Sequence, residues 1–150
     1  MKIEFHHTFP QPRERVWEYL QDVKVLEKTL PGCKRLTPVG GGLFDAELGL
    51  DIGPVKGTFA GEVKLTEQQE PSRYRLILHG RGKPGELDAD AVIRLEETGE
   101  GTNVVCESET RVTGVLASVG QRIMGSVARM LLGRFFKSVA TELDKASQSS

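Results

Sequence analysis

The segment VGQRIMGSVARMLLGRFFKSVATEL, residues 119–143, has the apolar periodicity of the longest helix in this chain. It contains Gly120, Gly125 and Gly133, although a glycine inside a helix costs roughly 1 kcal/mol relative to alanine. We interpret these glycines as a sign that the helix, expected from about Leu116 to Lys145, closes a cavity.

The apolar residues of this helix form two groups when they are placed at steps of about 100°. The first group contains Leu116, Val119, Ile123, Val127, Met130 and Leu131, and the second contains Leu132, Phe135, Phe136, Val139 and Leu143. The change of phase at Gly133 predicts a kink there, or a helix end that packs on another surface such as the first two helices.

Six segments with period-2 alternation precede the helix, separated by short turns of glycine, proline and charged residues. They are KRLTPV (34–39), GLFDAELGL (42–50), PVKGTFAGEVKLTE (54–67), SRYRLILHG (72–80), ELDADAVIRLEE (86–97) and TNVVCESETRVTG (102–114). Because the turns are short, we expect these strands to form an antiparallel meander.

The N-terminal part predicts one strand, KIEFHHTF (2–9), and two short helices, PRERVWEYLQD (12–22) and VKVLEKTL (23–30). An antiparallel sheet of seven strands has one apolar face that needs cover, and only the last helix is long enough. The sequence therefore predicts an α+β fold in which a curved sheet grips a long C-terminal helix. With 150 residues in all, we expect a single domain at residues 1–146 and a frayed tail at 147–150.

Composition excludes several classes of protein. Apolar and charged contents of 38% and 27% are those of a soluble globular protein, and a net charge of −1 gives no basic stripe for nucleic acid. No signal peptide or run of about 18 apolar residues is present, so we expect a cytoplasmic protein. Cys33 and Cys106 are expected to be free thiols.

Strand alternation places mostly apolar and often small residues on the face toward the helix. Small residues opposite a helix favour an apolar hollow of the ligand-pocket kind, because a solid core would carry larger side chains. The alternative is bending or a bulge at Gly57 and Gly61, covered by Phe59. A hollow would be lined by Phe44, Leu48, Phe59, Tyr74, Leu76, Leu78, Cys106, Ser108, Thr110, Val119, Ile123, Val127 and Met130. Near a mouth, Tyr74, Ser108 or Thr110 would orient a polar head group.

The sequence does not predict a catalytic or metal site. His6 and His7 are neighbours in a strand and point to opposite faces, and no Cys/His spacing suits zinc. The carboxylate pairs Asp88/Asp90 and Glu107/Glu109 would line the cavity only if the register were shifted by one. Arginines on the same faces favour a charge ladder on the solvent side instead.

Basic residues dominate the last helix. Arg122, Arg129, Arg134 and Lys137 occur without an acidic residue between Thr110 and Thr141. A basic amphipathic helix can lie against an anionic membrane surface or an acidic partner, and a merely solvated face is the alternative.

Four stretches occur in order across roughly residues 2–145: VWEYLQDV…LEKTLPGCKRL, IGPVKGTFAGEV, HGRGKPGELDADAVIRL and VTGVLASVGQRIMGSVARMLLGRFF. The most specific parts are Leu30-Pro31-Gly32-Cys33, Gly57-x-Phe59-x-Gly61 and residues 114–122. Together they resemble the CoxG family of carbon monoxide dehydrogenase, within the helix-grip (SRPBCC, START- and Bet v 1-like) superfamily. That superfamily contains polyketide cyclases, START-type lipid carriers and coenzyme Q-binding proteins.

The resemblance implies a non-enzymatic accessory protein of a molybdenum hydroxylase of the carbon monoxide dehydrogenase type. It implies a bound hydrophobic molecule, a quinone or a lipid, no covalent cofactor, and a role in attaching the enzyme to the inner face of the membrane. Members with a membrane role can carry a C-terminal extension ending in an anchor, whereas this sequence stops at Ser150, so we expect at most a surface contact. Two other hypotheses stay open: a cyclase-like or hydrolytic enzyme using the same cavity, and a docking module with a filled core.

Overall fold

A computed structural model describes residues 1–148 of the chain and contains one seven-stranded antiparallel sheet. The strand order is β1-β7-β6-β5-β4-β3-β2, so the last strand along the chain lies beside the first. The strands are β1 (Lys2–Phe9), β2 (Cys33–Gly40), β3 (Leu43–Ile52), β4 (Val55–Gln69), β5 (Arg73–Gly82), β6 (Gly85–Thr98) and β7 (Gly101–Val112). The predicted meander and the α+β class are confirmed.

Four helices accompany the sheet: α1 (Arg13–Gln21), α2 (Val23–Thr29), α3 (Val115–Ser118) and α4 (Gln121–Gln148). Asp22 caps α2, because its carboxylate accepts a hydrogen bond of 2.8 Å from the Lys24 N–H. α4 includes two residues of the predicted frayed tail 147–150, of which residues 149 and 150 lie outside the described part of the chain.

The prediction of a single helix from Leu116 onward is wrong for its first turns. Gly120 has a backbone φ of +97°, a conformation that residues other than glycine rarely adopt, and it separates the one-turn α3 from α4. The glycine therefore ends one helix and allows the next to start in a new direction.

The strand register matches the predicted alternation of inward and outward residues. Gly61 pairs with Ala46 and Gly80, and Ala91 pairs with Ser108, so these small residues are neighbours on the inner face. Pairing through Gly61 shows no register shift, whereas the irregularity in β4 lies between Thr66 and Gln69. The bulge considered for Gly61 is thus absent. A Cβ at Gly61 would lie 2.5 Å from the His79 carbonyl oxygen, so glycine is required there by the close approach of β5. Gly57 has a φ of +127°, which agrees with the bending considered at that position.

The inner face packs into two separate apolar clusters. The larger, here the main core, joins α1, α2 and the C-terminal half of α4 to the sheet through residues such as Trp17, Tyr74 and Phe136. The smaller, here the end cluster, joins the β3–β4 turn, α3 and the start of α4. Its buried members are Ile52, Val55, Phe59, Leu116, Met124 and Val127.

The inward face of α4 differs from the first predicted stripe. Met124, Phe135, Phe136, Val139 and Leu143 are buried, whereas Ile123 and Met130 are 50% and 47% exposed. The reason is that the backbone of α4 comes closest to β1, α1 and α2, which turns the helix toward that edge of the sheet.

Gly125 and Gly133 both face β1, although the sequence placed them outside the inward stripe. A Cβ at Gly125 would lie 3.8 Å from the Ile3 side chain, and one at Gly133 would lie 3.6 Å from Phe5. α4 continues through Gly133, and its end packs on α1 and α2, which was the second of the two predicted outcomes.

Candidate functional site

The middle of the inner face is less well covered than either end. Leu48, Leu87 and Ala89 face inward, belong to neither cluster and are only half-buried. We call the region that they share with three small residues the central gap; its members are Leu48, Gly61, Gly80, Leu87, Ala89 and Ser108. A Cβ added to Gly80 would meet no other atom within 4 Å, so this part of the sheet faces open space.

The residues predicted to line a cavity lie in several environments. Phe59, Tyr74, Cys106, Thr110 and Val127 are buried, whereas Ile123 and Met130 point to solvent. The half-buried members are Phe44, Leu48, Leu76, Leu78, Ser108 and Val119. Phe59, Val119 and Val127 belong to the end cluster, and Phe44, Tyr74, Leu76, Leu78 and Cys106 belong to the main core. The structure thus divides most of them between the two clusters, and only Leu48 and Ser108 are members of the central gap.

Electrostatically, the strand positions of the central gap are uncharged, because they hold no lysine, arginine or carboxylate. Glu97 holds an inward position at the end of β6, where it forms an ion pair of 3.6 Å with Arg13 of α1. His7 is an inward histidine of β1; it stacks on Phe136 at 5.9 Å, and burial lowers its pKa.

The polar side chains on the inner face of β5 and β7 include Tyr74, Cys106, Ser108 and Thr110. Tyr74 is 1% exposed, and burial raises its pKa far above the ordinary value. Burial also raises the pKa of Cys106 to about 11, so this thiol is protonated at neutral pH. The hydroxyls of Ser108 and Thr110 are 3.1 Å apart and hydrogen-bond to each other.

The carboxylates considered for acid–base chemistry lie on the outer face, as the predicted charge ladder requires. Asp90 is hydrogen-bonded by Arg75, which lowers the Asp90 pKa, and Glu107 forms an ion pair of 2.7 Å with Arg94. Asp88 lies on the same face as Asp90. These side chains are therefore held in ion pairs away from the central gap rather than gathered around it.

Elsewhere in the described part of the chain, residues 1–148, no group of three metal-ligating side chains occurs. Two surface depressions, near Arg13 and near Arg75, are rich in charged residues of the outer face and the sheet edge. Ser108 also lines the depression near Arg75, together with Ile3 of β1 and Arg129 of α4.

The basic residues of α4 divide between two sides of the helix. Arg129 lies near β1, beside Glu4 and Glu109 in the depression near Arg75. Arg134 and Lys137 are exposed at helical spacing from Ile123 and Met130, so charge and apolar surface occur together there. None of the described helices is long and apolar enough to cross a bilayer.

Residues 7–144 match the model of the carbon monoxide dehydrogenase CoxG family. The chain belongs to the CoxG family. No curated protein sequence matches the chain. Membership agrees with the resemblance seen in the sequence and makes the chain, at family level, an accessory or ligand-binding protein of carbon monoxide dehydrogenase.

Solved structures show the same fold as this CoxG protein. A conserved protein from Geobacillus kaustophilus is 32% identical, with 97% of each chain covered and a TM-score of 0.94. Ara h 8.0201 is 16% identical, with 97% of this chain and 98% of that one covered and a TM-score of 0.72. A protein of unknown function from Staphylococcus aureus is 12% identical, with 99% and 96% covered and a TM-score of 0.75. The fold is therefore the helix-grip architecture.

The sequence did not predict the end cluster or the full burial of the Tyr74 side chain. Ile52 and Val55 flank a Gly-Pro turn and look like ordinary strand ends, so only their contact with Leu116 reveals the cluster. Tyr74 was expected near a mouth, but Trp17 of α1 packs on it at 5.4 Å and makes it part of the main core. The available signal was the apolar stripe of α1, in which Trp17 lies with Val16 and Leu20 at helical spacing.

Proposed function

We propose that this CoxG protein is a non-enzymatic carrier that holds a quinone or a lipid between α4 and the sheet for a molybdenum hydroxylase. The observation that carries the proposal is the central gap, a half-buried and uncharged strip of the inner face. α4 comes closest to the β1 edge of the sheet and therefore covers this strip less completely. Family membership supports the choice of partner enzyme.

The central gap suits an isoprenoid or acyl chain better than a small polar substrate. Its members are leucine, alanine, glycine and one serine, so binding would depend on burial of apolar ligand surface. Such burial contributes roughly 25 cal/mol per Å², which can hold a long chain with few polar contacts. A cyclase-like or hydrolytic enzyme would need convergent acid and base groups, and the candidate carboxylates lie on the outer face.

The same proposal includes a peripheral contact with the inner face of the cytoplasmic membrane. Arg134 and Lys137 would supply attraction to anionic lipids, and exposed Ile123 and Met130 on the same side of α4 would enter the interfacial region. A carrier at this position could take its ligand from the bilayer and present it to the hydroxylase.

Mass spectrometry of the purified protein, in native form and after organic extraction, tests the proposal. We expect a quinone or lipid in a stoichiometric complex with the folded protein. A protein that is empty as purified, and stays empty after incubation with quinones and phospholipids, would contradict the carrier function and favour a docking module.

A further inference from the structure

A one-turn helix closes the end of the inner face that the end cluster occupies. α3 (Val115–Ser118) follows β7 directly, and Leu116, which is 1% exposed, is its only buried residue. The Leu116 side chain packs in the end cluster, whereas Val115 beside it is 67% exposed. A single buried side chain therefore anchors α3 to this end of the protein.

Few hydrogen bonds hold α3 in this position. The Leu116 N–H donates to the Pro84 carbonyl oxygen of the β5–β6 turn at 2.9 Å, and within residues 1–148 this is the one hydrogen bond from α3 to the sheet or its turns. The other bonds stay within the helical turn, such as that from the Ser118 hydroxyl to the Val115 carbonyl oxygen at 2.6 Å. Internal bonds survive when the turn moves as a unit, so one backbone bond and one side chain resist its displacement.

Glycines flank α3 on both sides. Gly114 has a φ of +69° and Gly120 a φ of +97°, and glycine changes between positive and negative φ with little steric cost. Hinges in proteins are a few residues at the ends of elements that absorb such changes. Residues 115–119 thus form a short unit between two hinge residues.

The end cluster under α3 lies next to the central gap. Phe59 of the cluster pairs with Leu48 of the gap, and Val112, which packs against the cluster, pairs with Leu87 of the gap. A Cβ added to Gly82 would lie 2.7 Å from the Phe59 ring, which places that ring over the end of β5. Removal of Leu116 from the cluster would therefore loosen the packing directly beside the gap.

We infer that α3 is a lid at the entrance to the central gap: it turns about Gly114 and Gly120, withdraws Leu116 from the end cluster and opens a path for an apolar molecule. The entrance role rests on the proposed carrier function, whereas the opening is a property of the chain alone. The main core is the less suitable route, because α1, α2, α4 and the sheet all pack into it and would have to separate.

Amide hydrogen exchange of the protein without added ligand tests the opening. After correction for intrinsic rates, the Leu116 amide should exchange at least about a hundredfold faster than the Leu95 amide. Both amides donate to a backbone carbonyl oxygen, at 2.9 and 2.8 Å, and both side chains are buried, but Leu95 lies in β6 between two other strands. Equal rates would show that α3 opens only when the whole protein unfolds, and the lid would be wrong.

Stopped-flow binding of Nile red, an uncharged apolar dye, tests the route. Leu116→Ala should raise the association and dissociation rates at least about tenfold, because the lid then loses its anchor. Exchange of the amide at position 116 should rise by the same factor. Leu143→Ala is the matched control and should leave both dye rates unchanged, since Leu143 is also 1% exposed but lies in the main core. If Leu116→Ala does not fold, Gly120→Ala replaces it, because strain at position 120 in the closed lid favours opening.

The outcomes separate the lid from the carrier function. If the wild-type protein binds no Nile red, the carrier function fails and α3 is not an entrance, whatever its exchange rate. If the dye binds and Leu116→Ala changes neither rate, the carrier function stands and the lid is wrong. Equal acceleration by Leu143→Ala would also overturn the lid, because entry would then follow general loosening of the fold. A melting temperature for each variant shows that the fold is intact.

Discussion

At the level of single residues, burial controls the chemistry of the two thiols. Cys106 is 2% exposed, and burial raises its pKa to about 11. Cys33 is only half-buried, although burial raises its pKa as well. Only the thiolate reacts with alkylating agents, and it must also be reached by them. Cys106 should therefore stay protonated and unreactive until the pH approaches its own raised pKa.

We predict that a maleimide at pH 8 labels one thiol per native molecule, at Cys33, and both thiols in denaturant. Peptide mapping by mass spectrometry measures the site and the count. Rapid labelling of Cys106 in the native protein would show that the inner face near Tyr74 is open to reagents, contrary to its burial. Raising the pH from 9 to 11 should also destabilise the fold, because the unfolded thiol ionises in this range and the buried one does not.

At the level of helices and strands, the glycines of α3 and α4 have different roles. Gly120 has a φ of +97°, and a Cβ there would meet no atom within 4 Å. Alanine at this position would therefore be unfavourable because of its backbone conformation and not because of a steric clash. Gly133 lies in regular helix, and a Cβ there would make ordinary contact with Phe5 at 3.6 Å.

We expect Gly120→Ala to lower the free energy of unfolding by about 1 kcal/mol and Gly133→Ala to raise it by up to about 1 kcal/mol. Urea denaturation of the two variants measures both changes, and each serves as the other's control. Equal effects of the two substitutions would contradict the assignment of a helix break at Gly120.

The exposed side of α4 gives a prediction for membrane contact. Charge reversal at Arg134 and Lys137 should weaken binding to vesicles that contain anionic lipids, at unchanged melting temperature. Charge reversal at Lys64 and Lys83, which are exposed on the sheet and its turn, is the matched control for net charge. Cosedimentation measures the bound fraction, and equal losses in both double variants would mean that only net charge matters.

Sequence alone predicted the elements and the register well, because period-2 alternation decides which side of a strand is buried. Small inward residues such as Gly61, Gly80 and Ala89 were placed correctly for this reason. The side of α4 that is buried was predicted poorly. The helix has apolar residues on more than one side, and contacts with β1 decide which side faces the sheet. The break at Gly120 and the depth of Tyr74 likewise follow from long-range packing.

Across the whole molecule, two apolar clusters flank a half-buried strip of the inner face. The main core and the end cluster hold α4 at its two ends, and the central gap lies between them. A fold stabilised in this way can keep an apolar space without loss of its shape, which is what a carrier requires. A filled interior would instead suit a protein that acts only by docking.

The carrier function is tested most directly by native mass spectrometry of the wild-type protein beside Gly80→Leu. Leucine at this position extends into the central gap from a site where a Cβ meets nothing within 4 Å. We predict a stoichiometric apolar ligand on the wild type, no ligand on Gly80→Leu, and no loss of stability in the variant. The contrary result has two parts. The wild-type protein carries no ligand, and Gly80→Leu is destabilised by about 1–3 kcal/mol, as expected for overpacking of a filled core. Together they would show that the interior is filled and that the protein is not a carrier.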